Sequence, residues 1–424
     1  MSHDLEYTGW RKKIIDRDNK VPLITWAVAA SMILYTLGDQ FFDWHWVHGL
    51  HSHLADEIAN EYVMWAFFFY LGLELLIREI ISAGKFAGCA TAGGMIGPPV
   101  LTFCLMFMFL DETNWRIALA ASATDVAFAI GASKFVTKGA KGALVLLMTA
   151  LLMLAVGDDL GGIVAAACVY VTAISIFWLC VEGLMFVFTY FCGERGTVPG
   201  RIQDKGQPET RRAIELVVEI ENWKFWIFLA IANTFILKAA GVHWVLGGCF
   251  AAILASGVAK EKLIYMLKPI IPLLLVVFGF INGAINVLDP NSWGAMTFVC
   301  FAGGMFGKQI FVGLGALLGR WWSGKGKKSV YVNVPNSQIY GLALFSSVNG
   351  AVAIFFVKMA LKNEYCTDVD AQQAILGFFL TVPAVYIQAW VVGKLGLIKE
   401  CPDFQPEHPD EAKTGIHEPD ISAV

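Results

Sequence analysis

The chain has 424 residues, of which 57% are hydrophobic and 16% charged, with a mean hydropathy of +0.61 and a net charge of −4. That balance is too apolar for an ordinary soluble domain of this length and points to a polytopic membrane protein. The small net charge says little by itself, and no nucleic-acid partner is expected.

In chain order, residues 1–20 are polar and basic and lack the leader pattern of a cleaved signal peptide, so they are expected to form a cytoplasmic segment ahead of a retained first helix. Twelve apolar segments follow, near 21–41, 62–82, 86–110, 116–135, 143–171, 172–192, 223–240, 242–259, 263–287, 295–319, 339–361 and 371–397. Each is close to the roughly 20 residues a helix needs to span a bilayer. The expected architecture is therefore an all-α transporter domain over 21–397. It is interrupted by a long connection at 193–222 and followed by an acidic, proline-bearing, disordered tail at 398–424. Within the connection, ETRRAIELVVEIEN (209–222) has a helical pattern suited to the membrane surface.

With both termini placed in the cytoplasm, 26 of the 31 lysines and arginines fall inside and four (Arg116, Lys238, Lys358 and Lys362) fall outside. The remaining base, Lys308, is placed within the membrane. The nine cysteines have neither paired spacing nor nearby histidines, so neither disulfides nor a zinc site are expected.

Charge inside apolar segments carries the functional signal. Asp158 and Asp159 lie side by side in LVLLMTALLMLAVGDDLGGIVAAACVYV (144–171). A charged side chain near the bilayer centre costs at least about 2.5–3.5 kcal/mol, so such residues commonly mark an ion or proton path. Two other spans carry sequence that disfavours an unbroken helix. The fourth has Thr124, Asp125 and Gly131; the eleventh has Ser346, Ser347, Asn349 and Gly350. Backbone released from a helix at membrane depth is tolerated only where protein covers it or it lines a cavity. Each break exposes one positive and one negative helix end, which Asp125 and Lys308 respectively can balance. Spans 3–5 and 10–12 each read as three-helix units with a broken middle member, the pattern of inverted repeats with two crossing interrupted helices.

ATDVAFAIG (123–131) followed by GDDLGGI (157–163) resembles the paired signatures of NhaA-type sodium/proton antiporters. YLGLEL (70–75), AGGMIGPP (92–99), LKAAGVHWVLGG (237–248), GFINGAINV (279–287) and GGMFGKQIFVG (303–313) fit the same family, so the resemblance covers roughly residues 60 to 395. It implies a multi-pass protein of the bacterial inner membrane that works as a homodimer in sodium and pH homeostasis. It is expected to be no enzyme, to need no cofactor, and to exchange Na+ or Li+ for protons. By position, Asp159 matches the principal cation-binding carboxylate, Asp158 its neighbour able to pair with Lys308, and Thr124 and Asp125 the broken-helix residues beside them. Both aspartates together with the lysine form the electrogenic pattern.

Departures from the family are equally specific. Glu74, Arg78 and Glu79 echo a cytoplasmic pH-sensing cluster, but the first spacing is one residue longer, and a simple i,i+4 ion pair explains them as well. Segment 43–60 does not resemble the β-hairpin of some family dimers, and Glu182 in span 6 has no counterpart.

The chemistry fits the resemblance. Hard alkali cations prefer oxygen ligands, and Asp158, Asp159 and Thr124 supply them. Adjacent helical residues point about 100° apart, which lets one aspartate face the cation while the other meets Lys308. Two alternatives stand beside this reading. A cation- or proton-coupled symporter would use Asn282, Asn286 or Asn349 on a small organic solute. An intramembrane aspartyl protease would use Asp125 and Asp158, but Ala155 stands where its motif needs glycine.

Overall fold

The computed structural model describes residues 58–74, 77–111, 113–124, 129, 150–151, 154, 157–158, 161–162, 175–195, 222–242, 244–271, 273–274, 287, 289–323 and 334–398. The expected first span, the 193–222 connection apart from its ends, nearly all of the acidic tail, Asp125, Asp159, His243, Asn282 and Asn286 lie outside them.

All regular structure among the described residues is helical. A wide turn at Ile58–Val63 leads into α1 (Met64–Glu74) and α2 (Ile77–Phe109). There follow α3 (Trp115–Leu119) with a 3-10 turn at Ala120–Ser122, α4 (Ile176–Arg195), α5 (Trp223–Ala239), α6 (Leu246–Leu254) and α7 (Gly257–Leu267). The last third contains α8 (Ala295–Ser323), α9 (Asn336–Ser346), α10 (Ala351–Lys362) and α11 (Asp368–Lys394). Residues 150–151, 154, 157–158 and 161–162 are also helical. Three stretches, Lys85–Phe109, Pro290–Ser323 and Asp368–Lys394, are long and apolar enough to cross a membrane.

Polar side chains cap the starts of α3, α5 and α11. Asn114 accepts from the backbone N–H groups of Arg116 and Ile117, and Asn222 accepts from that of Lys224. Thr367 and Asp370 form a reciprocal capping box at the start of α11.

Several expected boundaries are corrected. Residues 77–85 continue into the helix of the third span rather than closing the second. IREIIS contains neither glycine nor proline, so nothing local stops that helix. Segment 242–259 is not one helix: α6 ends at Leu254, Ala255 and Ser256 are extended, and α7 begins at Gly257. Lys260 Nζ donates to the Ile253 carbonyl at 2.9 Å, satisfying an acceptor near the end of α6. The expected ninth span accordingly begins inside α7, which closes before a turn at Lys268 and Pro269.

The scaffold rests on close approach between helices, which small residues permit in the absence of a hydrophobic drive within lipid. Along the α2–α8 contact, a Cβ at Gly93 would lie 2.2 Å from the Phe311 carbonyl oxygen, and one at Gly315 would lie 2.3 Å from that of Cys89. At Gly307 and Gly319 it would lie 2.7 Å from the Cα atoms of Pro98 and Phe86. A second group joins α1, α5 and α6, where Trp65 donates to the Thr234 hydroxyl at 2.8 Å and stacks over Phe69. Outward, α4 presents Ile176, Phe177, Leu184, Phe188 and Phe191, an apolar surface suited to lipid.

Gly93→Ala is expected to lower the thermal unfolding midpoint of the purified protein, overpacking of this kind costing about 1–3 kcal/mol. Gly88→Ala, on the same helix with nothing within 4 Å of the added methyl, should leave the midpoint unchanged or raise it slightly. Equal effects of the two substitutions would refute backbone-to-backbone packing at Gly93.

Candidate ion-binding site

Two interruptions of helix meet in the protein interior. The 3-10 turn that follows α3 ends at Ser122, and Ala123 is extended (φ −69°, ψ 133°). Between α9 and α10 the backbone is non-helical from Ser347 to Gly350. Thr124, just past the first interruption, brings its hydroxyl to 3.3 Å from the Ser346 carbonyl oxygen at the end of α9. Asn349, inside the second, donates its side-chain amide to the carbonyls of Ala121 (3.1 Å) and Ala123 (2.7 Å).

Three polar side chains converge beside this junction. The Thr124 hydroxyl donates to Asp158 Oδ2 at 2.7 Å and accepts from the Lys308 ammonium, whose nitrogen lies 3.5 Å from that same carboxylate oxygen. Because a hydroxyl has one hydrogen, the short, charge-assisted bond to Asp158 takes it in preference to the Ser346 carbonyl. Asp158 and Lys308 are fully buried, and Thr124 very nearly so. Asp158 Oδ1 has no hydrogen-bond partner among the described residues.

Glycines allow the carboxylate to sit there. A Cβ at Gly94 of α2 would lie 3.0 Å from both Asp158 oxygens. Gly157 and Gly161, one turn apart on the Asp158 helix, bring it against Thr91 and Met95 of α2, and Gly162 faces Phe356 of α10. The glycines of GDDLGGI are thus contact points between helices.

Of the residues expected at the site, Asp158, Thr124 and Lys308 are brought together, and Asn349 joins them through backbone carbonyls. Gly350 precedes the first residue of α10. The backbone of Glu74 closes α1 and that of Arg78 and Glu79 opens α2, but their side chains are outside the description. Glu182 does not join the site: it is buried on α4, which packs chiefly against α5 and α6, and neither carboxylate oxygen has a partner among the described residues. Sequence reasoning missed Gln309, which donates to Gln388 (2.8 Å) and Ser347 (3.3 Å), tying α8 to α11 and the second interruption. Its signal was a second polar residue beside Lys308 in an apolar helix.

The family model described as Na+/H+ antiporter 1 matches residues 21–392. The chain belongs to this family. Among its relatives, the Na(+)/H(+) antiporter NhaA of Nitratiruptor sp. is 27% identical over 351 residues, covering 76% of this chain and 81% of that one. The Na(+)/H(+) antiporter NhaA 2 of Clostridium beijerinckii is 26% identical over 326 residues, 72% of each chain. The solved sodium proton antiporter MjNhaP1 from Methanocaldococcus jannaschii at pH 8 has the same fold. It superposes on 92% of this chain and 95% of its own, with a TM-score of 0.59 at 14% identity. Family membership makes the chain a multi-pass membrane transporter rather than an enzyme, and the apolar helices agree with that.

Removing Lys308 should strand a buried carboxylate. Lys308→Ala is expected to cost about 3–5 kcal/mol, seen as a lower unfolding midpoint, and Asp158→Asn combined with Lys308→Met should recover much of the loss. A Lys308→Ala protein as stable as the parent would mean that another group neutralises Asp158.

Proposed function

We propose that this antiporter exchanges Na+ or Li+ for protons at Asp158 and Asp159, electrogenically and by alternating access, with Thr124 as a further cation ligand. The single observation that carries the reading is the buried Thr124–Asp158–Lys308 cluster at the meeting of two helix interruptions, in a chain of this family. The surrounding frame is read as twelve spans in which 3–5 and 10–12 are inverted repeats with the two interrupted members crossing. Both termini face the cytoplasm, and the protein is a homodimer in the bacterial inner membrane. Asp125 balances the positive helix ends at the crossing and Lys308 the negative ones. Glu74, Arg78 and Glu79 form a candidate pH-responsive funnel on the cytoplasmic side.

The cycle follows from charge balance. A bare Na+ takes carboxylate and hydroxyl oxygens as ligands, and Asp158 cannot serve it while paired with the Lys308 ammonium. Cation entry therefore frees Lys308 to release one proton, and Asp159 gives up another. Two protons leave for one Na+ bound, so a full cycle moves one net charge. The membrane potential acts on that charge with about 2.3 kcal/mol per 100 mV. Proton and cation occupy the site by mutual exclusion, and a site that changes sides only when loaded couples the two flows.

In inside-out membrane vesicles with a pre-formed pH gradient, adding Na+ should evoke proton movement that Asp159→Asn abolishes. Because protons compete for the ligands, the apparent affinity for Na+ should fall as pH falls, by about tenfold per pH unit for each proton exchanged at the site. Movement that requires an organic solute would replace antiport with symport, and a Na+ affinity independent of pH would remove the shared site.

A further inference from the structure

Asn349 makes more contacts with the helix interruptions than a residue that merely interrupts a helix needs. Its side chain is fully buried. The two carbonyls it faces, those of Ala121 and Ala123, can only accept, so the amide presents its NH2 to them and turns Oδ1 the other way. That oxygen points at α8, where a Cβ on Gly304 would lie 2.6 Å from it, one turn before Lys308. Its backbone N–H donates to the Thr381 hydroxyl of α11 at 2.9 Å, and Thr381 in turn donates to the Phe378 carbonyl at 2.6 Å. One side chain and its own peptide therefore join the Thr124 segment, the Lys308 helix and α11.

The bond to the Ala123 carbonyl has a specific consequence. Carbonyl 123 and the N–H of Thr124 belong to one planar peptide unit, so holding the oxygen fixes the orientation of the bond that carries Thr124. Ala123 itself lies past the end of the 3-10 turn, with extended φ and ψ. The 2.7 Å bond from Thr124 to Asp158 then depends on a residue more than 220 positions away in sequence.

We infer that Asn349 is a positioning residue that sets the affinity of the site for its alkali cation, acting through Thr124. This rests on the reading of Thr124 and Asp158 as cation ligands. An alkali ion has no directional bonding of its own, so its affinity depends on ligands held at the right distance before it arrives. A loosened Thr124 weakens binding without altering the carboxylates that exchange protons.

The test is Na+-evoked proton movement in inside-out vesicles, comparing the wild type with Asn349→Ala, Asn349→Asp and Thr381→Val. Asn349→Ala should raise the apparent KM for Na+ by about tenfold while the maximal rate stays within about twofold, since two buried carbonyls lose their donor. Asn349→Asp keeps the shape but presents oxygens to oxygens. Its KM relative to wild type at the same pH should be raised at high pH and should approach one as pH falls and the carboxyl gains a hydrogen to donate. Thr381→Val removes the backbone anchor alone, with an expected rise in KM of about threefold; it carries the test if the Asn349 variants fail to accumulate. An unchanged KM in Asn349→Ala overturns the inference and leaves the antiport reading standing. So does a loss confined to the maximal rate, or an Asn349→Asp defect that does not ease with acid. Absence of Na+-evoked proton movement in the wild type overturns the antiport reading and this inference with it.

Discussion

The constraint on which the rest depends is that peptide groups released from a helix inside a membrane must find partners within the protein. Here two interruptions meet, and a side chain of one serves backbone carbonyls of the other. The carbonyls of Ala121 and Ala123 are met by the Asn349 amide, and the Thr124 hydroxyl reaches toward the last turn of α9. The place where regular structure fails thus becomes a compact polar site, and Asp158 and Lys308 are buried within reach of it.

A buried ion pair is a weak source of stability, because desolvation offsets most of the attraction. Stability alone therefore does not account for its presence at this junction. The pair and the threonine between them form a buried chain of three linked polar contacts. Such a site needs rigid surroundings, and the α2–α8 contact supplies them. Glycines at 93, 307, 315 and 319 bring two long helices together almost backbone to backbone, and Gly94, on the same stretch of α2, leaves room for the Asp158 carboxylate. Gln309, with Gln388 and Ser347, braces the other side of α8.

Much of this was legible in sequence, and unevenly so. The apolar segments, the aspartate at 158, the lysine at 308 and the disrupted stretches near 124 and 349 were apparent because each violates a local expectation about membrane helices. The interruption at Ala255–Ser256 was not: Gly257 follows it directly, but the three small residues sit inside an apolar run, and the stabilising contact, Lys260 to Ile253, reads in sequence as an ordinary interfacial lysine. The extension of α2 back to Ile77 was missed for a different reason: 62–82 read as one continuous apolar span, and 77–82 were assigned to its end. Glu182 was conspicuous in sequence and remains conspicuous when buried on α4.

By itself the sequence determined that the chain crosses a membrane several times and which residues are too costly there to be incidental. It determined these things because hydropathy and helix-breaking chemistry act over a few residues at a time. Which polar groups meet was decided only by the tertiary structure. Thr124 finds Asp158 across 34 positions, Lys308 across 184 and the Ser346 carbonyl across 222. Helical periodicity relates a residue to neighbours three or four positions away, whereas these contacts depend on how glycine-lined helices pack against one another, a property of surfaces that no single stretch of sequence contains.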